Sequence, residues 1–199
     1  MNTTKEIILD AALDLFAENG YTETTIRQIA EIAGIKAASL YNHFPAKIDI
    51  LLSLIAEYKQ NILDTVLSPE EVDKLITELT AIEILRRLFF KFKESNQNRM
   101  VKILKIIYHE QYRVEEARSY VRDIQFTFMI NHIERVLEKL ILAKKVRGLD
   151  TKLYASLFVY VVTDTAYRSM LYGQEEYQGV ERVTSADILE ELFRQIVLD

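Results

Sequence analysis

The stretch that decides the fold is Thr25-Ile26-Arg27-Gln28-Ile29-Ala30-Glu31-Ile32-Ala33-Gly34-Ile35-Lys36-Ala37-Ala38-Ser39-Leu40-Tyr41-Asn42-His43-Phe44-Pro45. Thr25 and Gln28 have the spacing of a capping box, which predicts a helix start. Ile26, Ile29, Ala30 and Ala33 give that helix one apolar face. Gly34-Ile35 reads as a tight turn. A second helix is expected from about Lys36 to Phe44, stopped by Pro45, whose ring and missing N–H end a helix. So short a helix has little intrinsic stability, and Ile35, Leu40 and Phe44 are the residues that can hold it by packing. Left exposed are Lys36, Ala37, Ala38, Ser39, Tyr41, Asn42 and His43. A supporting helix, a glycine turn and a second helix with a free face are the parts of a helix-turn-helix.

Working outward, Thr3-Thr4-Lys5-Glu6 is another capping box. Apolar residues recur behind it at Ile8, Ala12, Leu15 and Phe16, the stripe of an amphipathic helix, and Asn19-Gly20 closes it. Beyond Ala46 long helices are expected. The first runs over about 47–67, and Ser68-Pro69-Glu70-Glu71 is a complete helix start. The next helix breaks near Leu79, where Thr80-Ala81-Ile82-Glu83 is again a capping box, and continues to Glu94. Ser95-Asn96-Gln97-Asn98 reads as a connector. Helices follow to about Tyr112 and over about 114–146. Gly148 and Asp150 then separate off a helix to about Tyr172, residues 173–179 read as a loop, and Thr184-Ser185-Ala186-Asp187 starts a last helix to about Leu198. The expectation is an all-α chain of about nine helices: a three-helix domain at 1–47, then a helical domain at 48–199.

Composition agrees. Five glycines and two prolines in 199 residues are too few for sheets and long loops. With no cysteine, disulfides, thiolate nucleophiles and Cys-based zinc sites are excluded. The first residues lack the pattern of a signal peptide. The most apolar run, Leu153 to Thr163, is far shorter than the ~18–20 residues of a membrane span. A cytoplasmic protein with no membrane partner is expected. Charge gives no support to nucleic-acid binding: the chain has a net charge of −5, and residues 1–47 hold four cations against six anions, whereas phosphate neutralisation dominates DNA affinity. The placement of the charges has to carry the reading.

That placement is favourable. Ala37, Ala38 and Ser39 let the backbone approach a major-groove floor, where their methyl and methylene groups can touch a thymine methyl. Tyr41 and His43 carry donors that can reach phosphates, although Tyr41 can equally be a core aromatic. Asn42 can read a base edge. Arg27 can grip a phosphate or reach a guanine. Lys47 opens the fourth helix, where free amides and the helix dipole favour an anion.

The run Ala12-Leu13-Asp14-Leu15-Phe16, Gly20-Tyr21, Thr24 to Ala30, Ala33-Gly34-Ile35, Ser39 to Phe44 and Lys47 resembles the N-terminal signature of the TetR family of bacterial transcriptional regulators across about 40 residues. Ala38, where many members have Gly, and Pro45-Ala46, in place of a commoner polar pair, are its departures. The resemblance implies a homodimer whose recognition helices enter successive major grooves of a palindromic double-stranded operator. It implies phosphate contacts by Thr25, Tyr41, His43 and Lys47, and base contacts from Arg27, Lys36, Ala37, Ala38 and Asn42. By the same analogy a small-molecule effector binds among the helices of 80–172. Candidate contacts there are Tyr108, His109, Tyr112, Tyr120, Gln125, Phe126, Phe128, Asn131, His132, Thr163 and Tyr167, although aromatics at helical spacing are also ordinary core residues. The helices of about 150–172 and 184–198 would pair with their copies in the dimer. Ala155, Leu157, Phe158, Val161, Val162 and Ala166 make the first of them apolar on more than one face, which demands burial. Asp164 and Arg168 have the spacing of an ordinary helix ion pair.

An enzyme is not indicated. There is no glycine-rich phosphate loop and no Glu-x-x-His pair for a carboxylate site. His43, His109 and His132 have no metal-ligand spacing, so no cofactor or metal is expected. A helical interaction module without DNA binding is the other alternative.

Overall fold

In a computed structural model of the chain, described over residues 3–95, 98–180 and 184–198, regular structure is helical. The elements are α1 (Thr4–Asn19), α2 (Ile26–Ile32), α3 (Ala37–Tyr41), α4 (Lys47–Leu63), α5 (Pro69–Glu78), α6 (Ala81–Ser95), α7 (Asn98–Glu110), α8 (Glu115–Ser119), a π-helical stretch (Tyr120–Phe128), α9 (Met129–Leu142), α10 (Thr151–Val180) and α11 (Ser185–Arg194). Backbone angles at Tyr120 and Phe128 stay helical, so 115–142 is one continuous run, as the sequence predicts.

Helix starts follow the local chemistry. Capping boxes form at Thr3–Glu6, Thr25–Gln28, Ser68–Glu71 and Thr184–Asp187. At Thr80 the backbone N–H donates to the Glu83 carboxylate (2.8 Å), and at Asp150 the carboxylate accepts from the Leu153 amide (3.0 Å). Gly20 (φ 85°, ψ 157°) and Gly34 (φ 69°) have positive φ, which a side chain would resist. Gly20 takes up an extended ψ rather than the left-handed helical one the sequence suggests.

Helix ends are where structure and sequence pattern part. The 114–146 helix stops at Leu142, because Lys144 takes φ 57° and the Lys145 amide turns back to the Leu140 carbonyl. That left-handed stop is usually a glycine, so the sequence carries no flag for it. The expected loop at 173–179 is instead the end of α10, which continues to Val180. Gln and Glu are good helix formers, and the two glycines cost only ~1 kcal/mol each. The last helix ends at Arg194 rather than near Leu198; beyond it Val197 bridges antiparallel to Val146. Asn96 and Gln97 of the predicted connector lie outside the described residues.

The chain forms two packing units: residues 1–61 with 98–121, and residues 62–97 with 122–199. In the first, α1 packs on α2 and α7, α2 on α3, and α7 on α8. Its core includes Ile8, Phe16, Ile29, Leu40, Leu54 and Ile107. Within it Tyr58 and Tyr120 meet edge to face at 5.2 Å, both buried, and burial raises the pKa of both hydroxyls. In the second unit α9, α10, α11 and α6 pack around Leu88, Ile133, Leu137, Phe158 and Phe193, with Phe158 stacked on Phe193.

Candidate nucleic-acid interface

Leu40 and Phe44 are buried, as the sequence requires, and they fix which way α3 faces. Lys36, Ala38, Tyr41, Asn42 and His43 are exposed, with Ala37 and Ser39 half-buried beside them. On α2, Ile29 and Ala30 are buried while Thr25 and Arg27 are exposed. The helix is shorter than expected: α3 proper ends at Tyr41. Residues 42–44 close it with amide bonds to Ser39 and Leu40 carbonyls (2.9–3.2 Å), so Asn42 and His43 sit on a tightened final turn.

The groups on this face differ in how free they are. Among the described residues, neither Arg27 nor Lys36 takes part in an ion pair. The Thr25 hydroxyl is engaged as the cap of α2: it accepts from the Gln28 amide (3.3 Å) and donates to the Gln28 side-chain oxygen (2.8 Å). Lys47 is half-buried, and its Nζ donates to the carbonyls of Tyr21 (2.7 Å), Thr22 (3.2 Å) and Thr24 (2.7 Å). It also lies 4.4 Å from the Tyr21 ring centroid. Burial lowers its pKa, opposed by the charges of Glu110 and Glu23. At the start of α4 the Asp49 carboxylate already accepts from the Ala46 amide (2.8 Å).

Folding also reduces the charge objection. Arg99, Lys102 and Lys105 on α7 are spaced three apart and face α1. Arg99 pairs with Asp10, Lys102 with Asp14 (2.6 Å), and the Lys105 ammonium donates to the Ala17 carbonyl (3.0 Å). Two of the four acids of α1, Asp10 and Asp14, are thus compensated within their own packing unit. The sequence pattern holds a signal for this row that the motif reading misses: cations every three residues on α7 match acids four apart on α1. The same reading misses Lys5, whose Nζ lies 5.4 Å from the Phe44 ring centroid just past α3. A cation in the first turn of α1 opposes the helix dipole, and that misfit is its only mark.

The family described as bacterial regulatory proteins, tetR family, matches residues 8–54, the span that builds this face. Over that span the chain is similar to the TetR family. The fatty acid metabolism regulator protein of Bacillus subtilis is 25% identical to it over 176 residues, 87% of this chain and 86% of that one. The HTH-type transcriptional repressor KstR2 of Mycolicibacterium smegmatis is 36% identical over 74 residues, about a third of each chain (34% and 36%). Among solved structures, SmeT, repressor of the Stenotrophomonas maltophilia multidrug efflux pump SmeDEF, aligns over 100% of this chain and 92% of its own, with TM-score 0.64 and 21% identity. At that identity the likeness is one of fold: an N-terminal helix-turn-helix followed by a helical domain, as this chain has.

The predicted effector contacts divide between the two packing units. Tyr108, His109, Tyr112 and Tyr120 belong to the first, where His109 is exposed, Tyr112 is 80% exposed and Tyr120 is buried against Tyr58. Gln125, Phe126, Phe128, Asn131, His132, Thr163 and Tyr167 belong to the second. There the Gln125 amide donates to the Thr163 hydroxyl (3.4 Å), and Phe126 meets Tyr160 edge to face at 6.0 Å. His132 is 8% exposed and its Nε2 has no hydrogen-bond partner among the described residues. Desolvation, with Arg135 and Lys91 nearby, lowers its pKa to about 4. Asp164 and Arg168 form the expected ion pair (2.7 Å). No helix among the described residues is long and apolar enough to cross a membrane.

Proposed function

We propose that this chain is a cytoplasmic, ligand-responsive repressor of the TetR family that binds a palindromic operator as a homodimer. The observation that carries the reading is the sidedness of α3: Leu40 and Phe44 are buried while Lys36, Ala38, Tyr41, Asn42 and His43 are exposed. Ala37, Ala38 and Ser39 bring the helix close to the groove floor, Lys36 and Asn42 read base edges, and Arg27 reaches in from α2. Tyr41, His43 and Thr25 hold phosphates, Thr25 by exchanging its bond to Gln28. These contacts position the protein without specifying sequence. The named relatives are regulators, which supports a regulatory rather than a catalytic role.

Dimerisation through α10 and α11 is supported by a surface that is unusual for a free chain. Leu153, Leu157, Tyr160, Asp164, Tyr167 and Leu171 are alternately four and three residues apart along α10, the spacing of a helix–helix seam. Leu153, Tyr160, Tyr167 and Leu171 are each about half exposed (52%, 53%, 49% and 58%), as is Ile188 on α11 (47%). A second copy would bury them. The effector is a small molecule acting within the C-terminal helices. Buried, partner-poor His132 and the Gln125–Thr163 pair are the polar groups best placed to orient it. SmeT has been seen in complex with triclosan, which supports a ligand site in this fold. Effector binding would act through α4, which starts in the DNA-binding unit and ends in the other, and would alter the separation of the two recognition helices.

A gel-retardation assay with the duplex upstream of the protein's own gene tests the proposal. A saturable complex that mixed-sequence competitor does not dissolve is expected, and no complex would overturn the DNA-binding reading. A compound found by its raising of the melting temperature should weaken operator binding by about 5–150-fold, the usual range of such coupling. Independent binding of compound and operator would overturn the sensor half.

A further inference from the structure

Of the four residues at positions where the family holds phosphates, Thr25, Tyr41 and His43 are exposed and Lys47 alone is half-buried. An ammonium has three N–H donors, and those of Lys47 are committed to the Tyr21, Thr22 and Thr24 carbonyls, two of them at 2.7 Å. The Tyr21 ring covers it at 4.4 Å, a cation–π distance. Its neighbouring charges are the carboxylates of Glu110, which is buried, and Glu23. They balance the ammonium and would repel a phosphate brought to the same place. Asp49 already occupies the start of α4 as its anion.

We propose that Lys47 is a positioning residue that ties the turn between α1 and α2 to the first residue of α4, and that it does not neutralise a DNA phosphate. The turn it holds runs directly into Thr25, the cap of α2, so the tie sets where Arg27 and the α2–α3 pair stand. Swinging the ammonium out to DNA would strip the cation from the carbonyl of Thr24, a residue only 1% exposed. The second half of the proposal rests on the DNA-binding reading above; the first half does not.

The two roles differ in measurable ways. Non-specific affinity for duplex DNA falls with salt by a log–log slope of about 0.9 for each phosphate-bound cation, so an operator is not needed. The probe is a mixed-sequence duplex of roughly 40 base pairs, long enough for several phosphate contacts. Full-length Lys47→Met should keep the wild-type slope. It should melt several degrees lower and exchange the amides of 20–25 faster. Lys47→Arg keeps the charge but replaces a compact tripod of donors with a planar fork, and it too should melt lower with an unchanged slope. A slope reduced by about 0.9 per protomer in Lys47→Met would overturn the proposal whatever the melting temperature does. So would wild-type melting and exchange in that variant. If Lys47→Met does not fold, the wild-type protein decides through the nitrogen resonance of the Lys47 ammonium. Adding the duplex should leave that resonance in place, and a shift on complex formation would overturn the tie. Failure of the wild type to bind the duplex would remove the DNA-binding reading, while the melting and exchange measurements would still judge the tie.

Discussion

Arg99 grips Glu57 with two prongs of its guanidinium, Nε to Oε1 at 2.6 Å and Nη2 to Oε2 at 3.0 Å. The pair joins α7 to α4, and the remaining nitrogen, Nη1, reaches Asp10 on α1. Three helices of the DNA-binding unit thus meet at one planar cation, whose pKa is raised first by the hydrogen bond to Glu57.

Because this cluster is only partly solvated and its main pair is two-pronged, it is worth more than a typical surface ion pair. Arg99→Ala should lower stability by about 1–2 kcal/mol, read as a lower urea midpoint at constant slope. Arg99→Lys should recover less than half of the loss, because a point charge cannot reproduce the fork. Full recovery by lysine would mean that charge alone matters there.

His132 makes stability depend on pH. Its folded pKa of about 4 lies below the ~6.5 of an unfolded histidine. Between these values the unfolded chain binds the extra proton, so stability is fully present above about 6.5 and falls as pH drops toward 4. Other acids titrate too, so the comparison is between proteins. His132→Gln should lose less stability than wild type between pH 7 and pH 5, measured by urea midpoint. Equal losses would show that the imidazole titrates normally.

On the DNA face, Tyr41→Ala should weaken binding by a similar factor for every duplex tested, since a phosphate contact carries no sequence information. Asn42→Ala should instead flatten the preference at one operator position, worth about 1–3 kcal/mol against the wrong base. Anisotropy titrations with the upstream duplex and single-base variants separate the two patterns.

The α10 seam gives a test of assembly. Tyr160→Glu or Tyr167→Glu places a like charge opposite its copy in a two-fold interface. Sedimentation should find monomer in place of dimer while the circular dichroism stays helical. A dimer that persists in both variants would put the interface elsewhere.

Short-range chemistry is legible in the sequence. The capping boxes at Thr3, Thr25, Ser68, Thr80 and Thr184 involve partners three residues apart, so local sequence is enough to specify them. The same holds for the face of α3: Leu40 and Phe44, four residues apart, decide what is buried, and Lys36, Ala38, Tyr41, Asn42 and His43 follow as what remains. Helix ends are less legible. Lys144 adopts a glycine's backbone conformation, and α10 runs through two glycines. In each case packing or the sum of neighbouring propensities outweighs the single residue that ordinarily marks a boundary.

What only the tertiary structure decided is how distant residues pair their charges. Asp10 and Asp14 count against DNA binding in sequence, yet α7, some 88 residues further along, supplies Arg99 and Lys102 to meet them. Lys47 reads as a free cation at a helix start, yet Tyr21, Thr22 and Thr24 close around its ammonium from 23 to 26 residues away. A charge acts over a few ångströms of space rather than of chain. The local sequence therefore determined the DNA-reading helix, and the fold determined which of the surrounding charges are left free to meet DNA.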